Sequence, residues 1–431
     1  MGLKPIREML RMERQSRVFF AAHAQSSLGT GAGYVALLVL AYDRLESPWA
    51  ISLVLLADFL PSMLLGPIFG AAADRWSRRW CAALGDVARA LAFVSLAFFD
   101  GFAVTVALAL VAGVGTGLFR PAVMAGLPSL VSPPRLPAAT ALFGALADVG
   151  FTIGPALAGV GLLLASAETV MLVNGVSFAV SAVALTTVQL GGGDRREHTR
   201  SLMREARAGV GAVARMPGLR AVIAGSSAVV LFAGLFNVGE LLLAEEELGA
   251  GDSGFALLVA VFGLGVVMGS LAGASSSEPR VLKDRYLVGL GVTGVGFLVA
   301  AASPVIAAAA VGFVIAGFGN GLLMVHERLL VQVTVKDDLL GRVFGLRDAL
   351  DAWAWTIAFG SAGLLLATLD TRLVLALAGA GVCAVAMGSA WALRGAWATP
   401  APEPGLEREP LPQLVERLDG VEEPAPAAAR S

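Results

Sequence analysis

The sequence predicts an all-α membrane protein with twelve transmembrane helices in two pseudo-symmetric six-helix bundles. Of 431 residues, 57% are hydrophobic and 15% charged, too few polar side chains to cover a soluble globule of this size. The apolar residues come in runs of roughly 20, the length that crosses a hydrocarbon core at about 1.5 Å per residue. A polar, basic stretch from Gly191 to Arg220 follows the sixth run and divides the chain. The 52 glycines scattered through the runs would weaken helices in water, but in lipid they let helix backbones approach closely.

Breaks at charges and at Pro or Gly place the spans at 18–41, 49–73, 80–99, 102–122, 138–164, 167–190, 220–244, 255–274, 286–303, 304–325, 343–368 and 373–393. The first run follows a basic stretch with Lys4, Arg7, Arg11, Arg14 and Arg17, as a signal peptide would. It is too long for a signal core and is interrupted by His23, Gln25 and Ser26, so it reads as an uncleaved span. Spans 9 and 10 are divided only by Ser303-Pro304, where Pro opens a helix. The expected organisation is an N-terminal bundle (1–190), a cytoplasmic linker (191–219), a C-terminal bundle (220–394) and a disordered cytoplasmic tail (395–431) rich in Pro, Glu and Ala. Sliding residues 131–163 onto 335–367 aligns Thr152-Ile153 with Thr356-Ile357 and Gly159 with Gly363, so span 5 echoes span 11, as duplication predicts.

Charge sets the orientation. Alternate connections carry Arg75, Arg78 and Arg79, then Arg195 through Arg215, then Arg280, Lys283 and Arg285. The opposite connections hold only Arg44 and Arg372 as basic residues, among Asp43, Glu46, Asp100, Glu168, Glu245, Glu246, Glu247 and Asp252. Positive loops stay inside, so both termini are expected in the cytoplasm. Cys81 and Cys383 lie far apart inside apolar runs, which indicates neither a disulfide framework nor a metal cluster. No phosphate-binding P-loop, serine elbow or H-E-x-x-H helix is present, which disfavours an ATP-driven pump or an intramembrane enzyme, and no cofactor or metal is expected.

Between spans 2 and 3 stands Gly70-Ala71-Ala72-Ala73-Asp74-Arg75-Trp76-Ser77-Arg78-Arg79. Gly70 permits close helix approach, Asp74 suits the positive end of another helix, and Arg75, Arg78 and Arg79 hold the cytoplasmic side; together they read as a conformational latch. An ordinary positive-inside loop explains the arginines but not the Gly and Asp at this spacing. The string matches G-x-x-x-D-R-x-x-R-R, and the chain resembles the major facilitator superfamily. Phe119-Arg120-Pro121-Ala122, Leu127-Pro128, Gln332 and Gly341-Arg342-Val343 resemble its bacterial branch of enterobactin-type and macrolide-type exporters. The resemblance implies two bundles around a central cavity, residence in the bacterial inner membrane, and proton-driven export by alternating access. Gly150, Gly154, Pro155 and Gly159 in span 5 resemble the antiporter motif of drug/proton exchangers, although a plain packing face explains them almost as well. Two features depart from the family pattern: the second half lacks a D-R-x-x-R-R, and span 4 lacks a central arginine between Val104 and Leu118.

A carboxylate at mid-bilayer costs several kcal/mol unless it faces water, pairs or protonates. Asp58 and Asp148 each fall ~14–15 Å into their spans, near the midplane, and are the leading proton-coupling candidates; a structural hydrogen bond is the alternative. Asp351 joins them wherever Arg347 turns elsewhere; otherwise Arg347–Asp351, like Asp86–Arg89, is a pair along one helix face. His326 and Glu327 are expected as solvated charges ending span 10. His23, Gln25 and Asn237 are candidate cavity residues, because the resemblance places spans 1 and 7 around the cavity. The expected activity is export of a small hydrophobic or amphipathic molecule by a monomer in the lipid bilayer, driven by the proton gradient and without nucleic acid. An uptake permease, a lipid flippase and a non-transporting receptor remain open on the same scaffold.

Overall fold

The computed structural model describes residues 13–45, 47–132, 135–191, 210–211, 213–272, 278–335 and 337–397. The expected tail and most of the expected linker lie outside the described residues, as do the side chains of Asp74 and Asp148. The helices are α1 (Arg14–Leu45), α2 (Pro48–Leu64), α3 (Gly66–Arg75), α4 (Arg78–Leu96), α5 (Phe102–Gly126), α6 (Leu136–Leu164) and α7 (Ala167–Thr186) in the first half. The second half holds α8 (Pro217–Leu242), α9 (Gly251–Ala272), α10 (Pro279–Ala301), α11 (Ile306–Thr334), α12 (Asp337–Thr368) and α13 (Thr371–Ala392). Among the described residues, ten of these helices are long and apolar enough to cross a membrane. The remaining two crossings are α4, which carries Asp86 and Arg89, and the broken pair α2–α3.

Local chemistry explains the element ends. The second span, expected as one helix, breaks at Leu65: Gly66-Pro67 opens a new helix, with Pro in the first turn where its missing N–H costs nothing. Gly101, at φ 110°, turns the chain between α4 and α5 in a conformation that side chains resist. At the start of α13, Asp370 caps the helix by accepting from the Leu373 N–H at 3.1 Å. The tenth span does not end at residue 325. With no Pro or Gly after Gly321, α11 runs on to Thr334, which carries His326 and Glu327 into the packed interior at 0% and 3% exposure.

The two halves pack by one scheme. In the first, α1 packs on α6 and α7, α4 on α5 and α7, and α2 on α5; in the second, α8 packs on α12 and α13, α10 on α11 and α13, and α9 on α11. Each pair in one half has its counterpart six spans later in the other. The halves meet mainly where α6 packs on α9 and where α12 packs on α2, which are again equivalent pairs.

Small residues make these crossings. A methyl group at Gly159 would overlap the Ala256 carbonyl of α9, and one at the equivalent Gly363 would press on Ser52 and Trp49 of α2. Gly150 and Gly154 instead bring α6 onto Ser27, Leu28 and Gly31 of α1 within the first half. Gly70 does not behave as expected. No described atom lies within 4 Å of where its side chain would begin, because the close approach is made one helix away, by Gly117 against Ser62 and Phe69.

The two basic residues on the otherwise acidic face are helix caps. Arg44 donates to the carbonyls of Leu96 and Phe99 at the end of α4 and pairs with Asp100 at 2.9 Å. Arg372 donates to the carbonyls of Ala301 and Ser303 beyond α10 and pairs with Glu247 at 2.7 Å. A cation at a helix C-terminus satisfies orphan carbonyls and the negative end of the dipole.

Gly154→Leu, which forces a side chain between α6 and α1, is expected to cost about 1–3 kcal/mol and lower the thermal midpoint of the detergent-solubilised protein. Gly70→Ala, with open space around it, is expected to stay within about 0.5 kcal/mol of the parent.

Candidate functional site

Each half buries a charged centre. In the first half, Asp86 and Arg89 pair along α4 at 0% and 5% exposure. The Arg89 guanidinium lies over the rings of Phe119 (4.5 Å) and Phe178 (4.2 Å), which supply cation–π attraction in place of water. One cation meets one anion there, and aromatic rings close the site.

The second half is different. Arg347 of α12 donates through Nε and Nη2 to the two oxygens of Glu327 on α11, at 2.7 and 3.2 Å. The same guanidinium reaches Asp351 at 3.3 Å and Asp348 at 3.6 Å. Ser227 of α8 donates to Asp351 at 2.6 Å. One guanidinium therefore serves three carboxylates, two of them mostly buried: the Glu327 side chain is 4% exposed and that of Asp351 14%. Glu327 and Arg347 also line a cavity of about 180 Å³ with Ser270 of α9, Met324, Phe344 and, from the first half, Thr152 of α6.

The face carrying the basic loops is bridged between halves by Arg120 of α5, which donates to Asp348 at 3.0 Å in an exposed pair. On the acidic face, Tyr42 of α1 donates to Glu246 at 2.9 Å. Deeper, Phe59 of α2 packs on Trp355 and Phe359 of α12, and the Tyr34 hydroxyl faces Asn237 of α8.

The structure redistributes the residues singled out from sequence. His23, expected at the cavity, stacks on Phe143 with ring centroids 4.2 Å apart, and its Nε2 sits 3.2 Å from the Phe143 carbonyl. Gln25 donates to the Ser177 carbonyl at 2.8 Å. Both side chains are turned toward α6 and α7 of their own half, where they join helices rather than face the interface. Asn237 does face the other half, opposite Tyr34. Asp58 is half-buried on α2, where Gly113 of α5 packs on its backbone carbonyl. Arg75 is exposed, Arg79 lies over Trp80, and the Arg78 Nε is buried without a hydrogen-bond partner among the described residues. Asp351 is engaged by Arg347 as the i,i+4 spacing predicts, yet within a larger cluster. Glu327 was missed as a site residue because it was placed at a helix end; the signal was the unbroken helical run past it. The Arg120–Asp348 contact joins residues 228 apart, beyond the reach of local spacing.

Two repeated six-helix units meeting at equivalent helix pairs, with buried charge on a cavity walled by both, define a polytopic membrane carrier. The chain belongs to the major facilitator superfamily, whose family model matches residues 19–359. It is similar to the MFS-type transporter YfiS of Bacillus subtilis (strain 168), 26% identical over 86% of this chain and 91% of the relative. It is also similar to the multidrug efflux pump Tap of Mycolicibacterium fortuitum, 27% identical over 81% of this chain and 87% of the relative. Among solved structures, the nucleoside transporter NupG superposes with a TM-score of 0.66 over 88% of this chain and 99% of that one, at 10% identity. An inward-facing, occupied bacterial homolog of the human lysosomal transporter Spinster gives 0.63 over 90% and 98%, at 14%. These likenesses carry the fold, and the family makes this a transport protein rather than an enzyme.

Removing Arg347 strands Glu327 and Asp351 without a cation. Arg347→Met is expected to destabilise by about 3–5 kcal/mol, whereas Arg120→Ala, in an exposed pair, is expected to cost no more than about 1 kcal/mol. Thermal unfolding in detergent at neutral pH separates the two.

Proposed function

We propose that the protein is a proton-coupled exporter of small hydrophobic or amphipathic molecules in the bacterial inner membrane. The observation that carries this reading is the seam: equivalent helix pairs, α6–α9 and α12–α2, join two matching units through small residues, so that one unit can rock on the other. Residues 1–190 and 220–394 are the rocking bodies, 191–219 the cytoplasmic connection between them, and both chain ends are cytoplasmic. The basic-loop face is then the cytoplasmic one.

The cavity beside Glu327 and Arg347, at about 180 Å³, is below the range of roughly 300–1,000 Å³ that holds drug-sized ligands. Loading a substrate from the cytoplasm therefore requires the halves to part at the Arg120–Asp348 bridge. The apolar wall supplied by Met324 and Phe344 suits hydrophobic surface, and the efflux activity in the name of the relative Tap supports the outward direction. Carboxylates in the spans, Asp58, Asp148 and Asp351, take up and release the coupling proton. Substrate, lipid and the proton gradient are the only partners the monomer needs.

Inverted vesicles loaded with the protein are expected to accumulate the lipophilic cation ethidium when the proton gradient is imposed and to stop when it is collapsed. Asp58→Asn, Asp148→Asn and Asp351→Asn are each expected to remove gradient-driven uptake by tenfold or more (~1.4 kcal/mol) while inserting normally. Gradient-independent flux in the parent protein excludes proton coupling, and accumulation in the opposite sense excludes export.

A further inference from the structure

We propose that Glu327 shares the transported proton with Asp351 around Arg347, and that Asp348 passes the charge state of this centre to the Arg120 bridge between the halves. The proposal rests on the exporter reading for its direction, but its geometry stands independently.

Electroneutrality is the starting point. Glu327 and Asp351 are two mostly buried anions facing one guanidinium, and a surplus charge in a low-dielectric interior is removed most cheaply by one bound proton. Among the described residues, Arg347 is the cation that pairs with both. Asp351 accepts from Ser227 of α8, while Ser226 of α8 and Tyr286 of α10 contribute neutral hydroxyls, Tyr286 donating to the Val222 carbonyl at 2.9 Å. Ser270 of α9 and Thr152 of α6 are neutral on the cavity wall, His326 is held by the Leu322 carbonyl, and Arg328 lines the cavity with interactions of its own. In the first half Asp86 and Arg89 pair one to one, and Asp58, which also feels Arg89, makes no direct contact with it.

Asp348 lies between the centre and the seam. It touches Arg347 at 3.6 Å and Arg120 at 3.0 Å, so two cations on different bodies compete for one carboxylate. With Glu327 ionised, its two bonds hold the guanidinium inward and leave Asp348 to Arg120, which keeps the bridge closed. When a hydronium ion delivers its proton, an O–H bond forms on the Glu327 carboxylate and water is released. Glu327 then ceases to be an ionic partner, Arg347 turns its charge toward Asp348, and the hold of Arg120 weakens. Deprotonation to cytoplasmic water reverses the step. The protonated carrier thus opens toward the basic-loop face and the ionised carrier closes it, the order that exchanging an entering proton for a leaving substrate requires.

The test is a spin-label distance across the bridge. Cys81 and Cys383 are replaced by Ser, and labels are placed at Met124→Cys on α5 and Gly345→Cys on α12, near the bridge but outside it. The full chain in lipid nanodiscs is measured from about pH 5.5 to about pH 8.5. The expected result is a longer distance in acid for the parent, a long distance throughout for Glu327→Gln, and loss of the pH response in Asp348→Asn. Glu327→Asp is expected to restore the response with its midpoint moved by about one pH unit, tenfold in proton affinity. A Glu327→Gln protein that keeps the parental response, or a parent with no response, overturns the proposal. Gradient-driven ethidium flux in the same variants keeps the two readings apart: full flux in Glu327→Gln sinks this proposal and leaves the exporter standing. A flux-inactive parent whose distance still responds through Glu327 sinks the exporter and leaves the switch.

Discussion

In a bilayer the helices gain nothing from hiding apolar side chains from solvent, because the lipid is as apolar as they are. Association therefore rests on how closely backbones approach, and every major crossing in this fold is made by a residue with no side chain to move aside. Gly150 and Gly154 bind α6 to α1, Gly265 and Gly269 bring α9 onto α11, and Gly289 and Gly296 bring α10 onto α11. The two seams between halves use the same device at equivalent positions, Gly159 and Gly363. At the crossing points themselves backbone meets backbone, while on the α12–α2 side Phe59 also packs against Trp355 and Phe359.

The same apolar surroundings govern the charges. Arg44 and Arg372 are tolerated on the acidic face because each closes the carbonyl end of a neighbouring helix. Asp86 and Arg89 are tolerated in the interior because they neutralise each other between two aromatic rings. Around Arg347 that rule is only partly met. Two buried carboxylates depend on one guanidinium, and a third, Asp348, shares it with Arg120.

Fold and site were not equally legible in the sequence. Apolar run length marked the spans, since lipid thickness is a one-dimensional constraint that a linear pattern records. The Thr-Ile and Gly register shared by residues 131–163 and 335–367 marked the repeat, and both copies prove to occupy the same place in the packing scheme. Direction around a helix was less legible. His23 and Gln25 are polar residues in an apolar span, which identifies them as partnered but not with what; the partners are the carbonyls of Phe143 and Ser177, more than a hundred residues away. Glu327 was hidden by a boundary error of nine residues, as the expected span ended at 325 and the helix continues to 334. Within two turns of a helix end, that error decides whether a carboxylate is read as solvated or buried.

The difference between the halves follows from these constraints. A duplicated scaffold supplies two equivalent seams, and the halves differ in the charges they carry between their helices. Coupling needs a site whose charge is incomplete and which touches the moving boundary. The first half keeps its ion pair against Phe119 and Phe178 of the same half. In the second half, α12 alone carries Arg347 and Asp351 to the buried centre, Asp348 to Arg120, and Gly363 to the seam with α2. One helix thus carries both the buried cluster and the contacts with the first half. The asymmetry between the halves is therefore one of side chains on a shared scaffold: Glu327 and Asp351 share Arg347 in the second half, where Asp86 and Arg89 pair singly in the first.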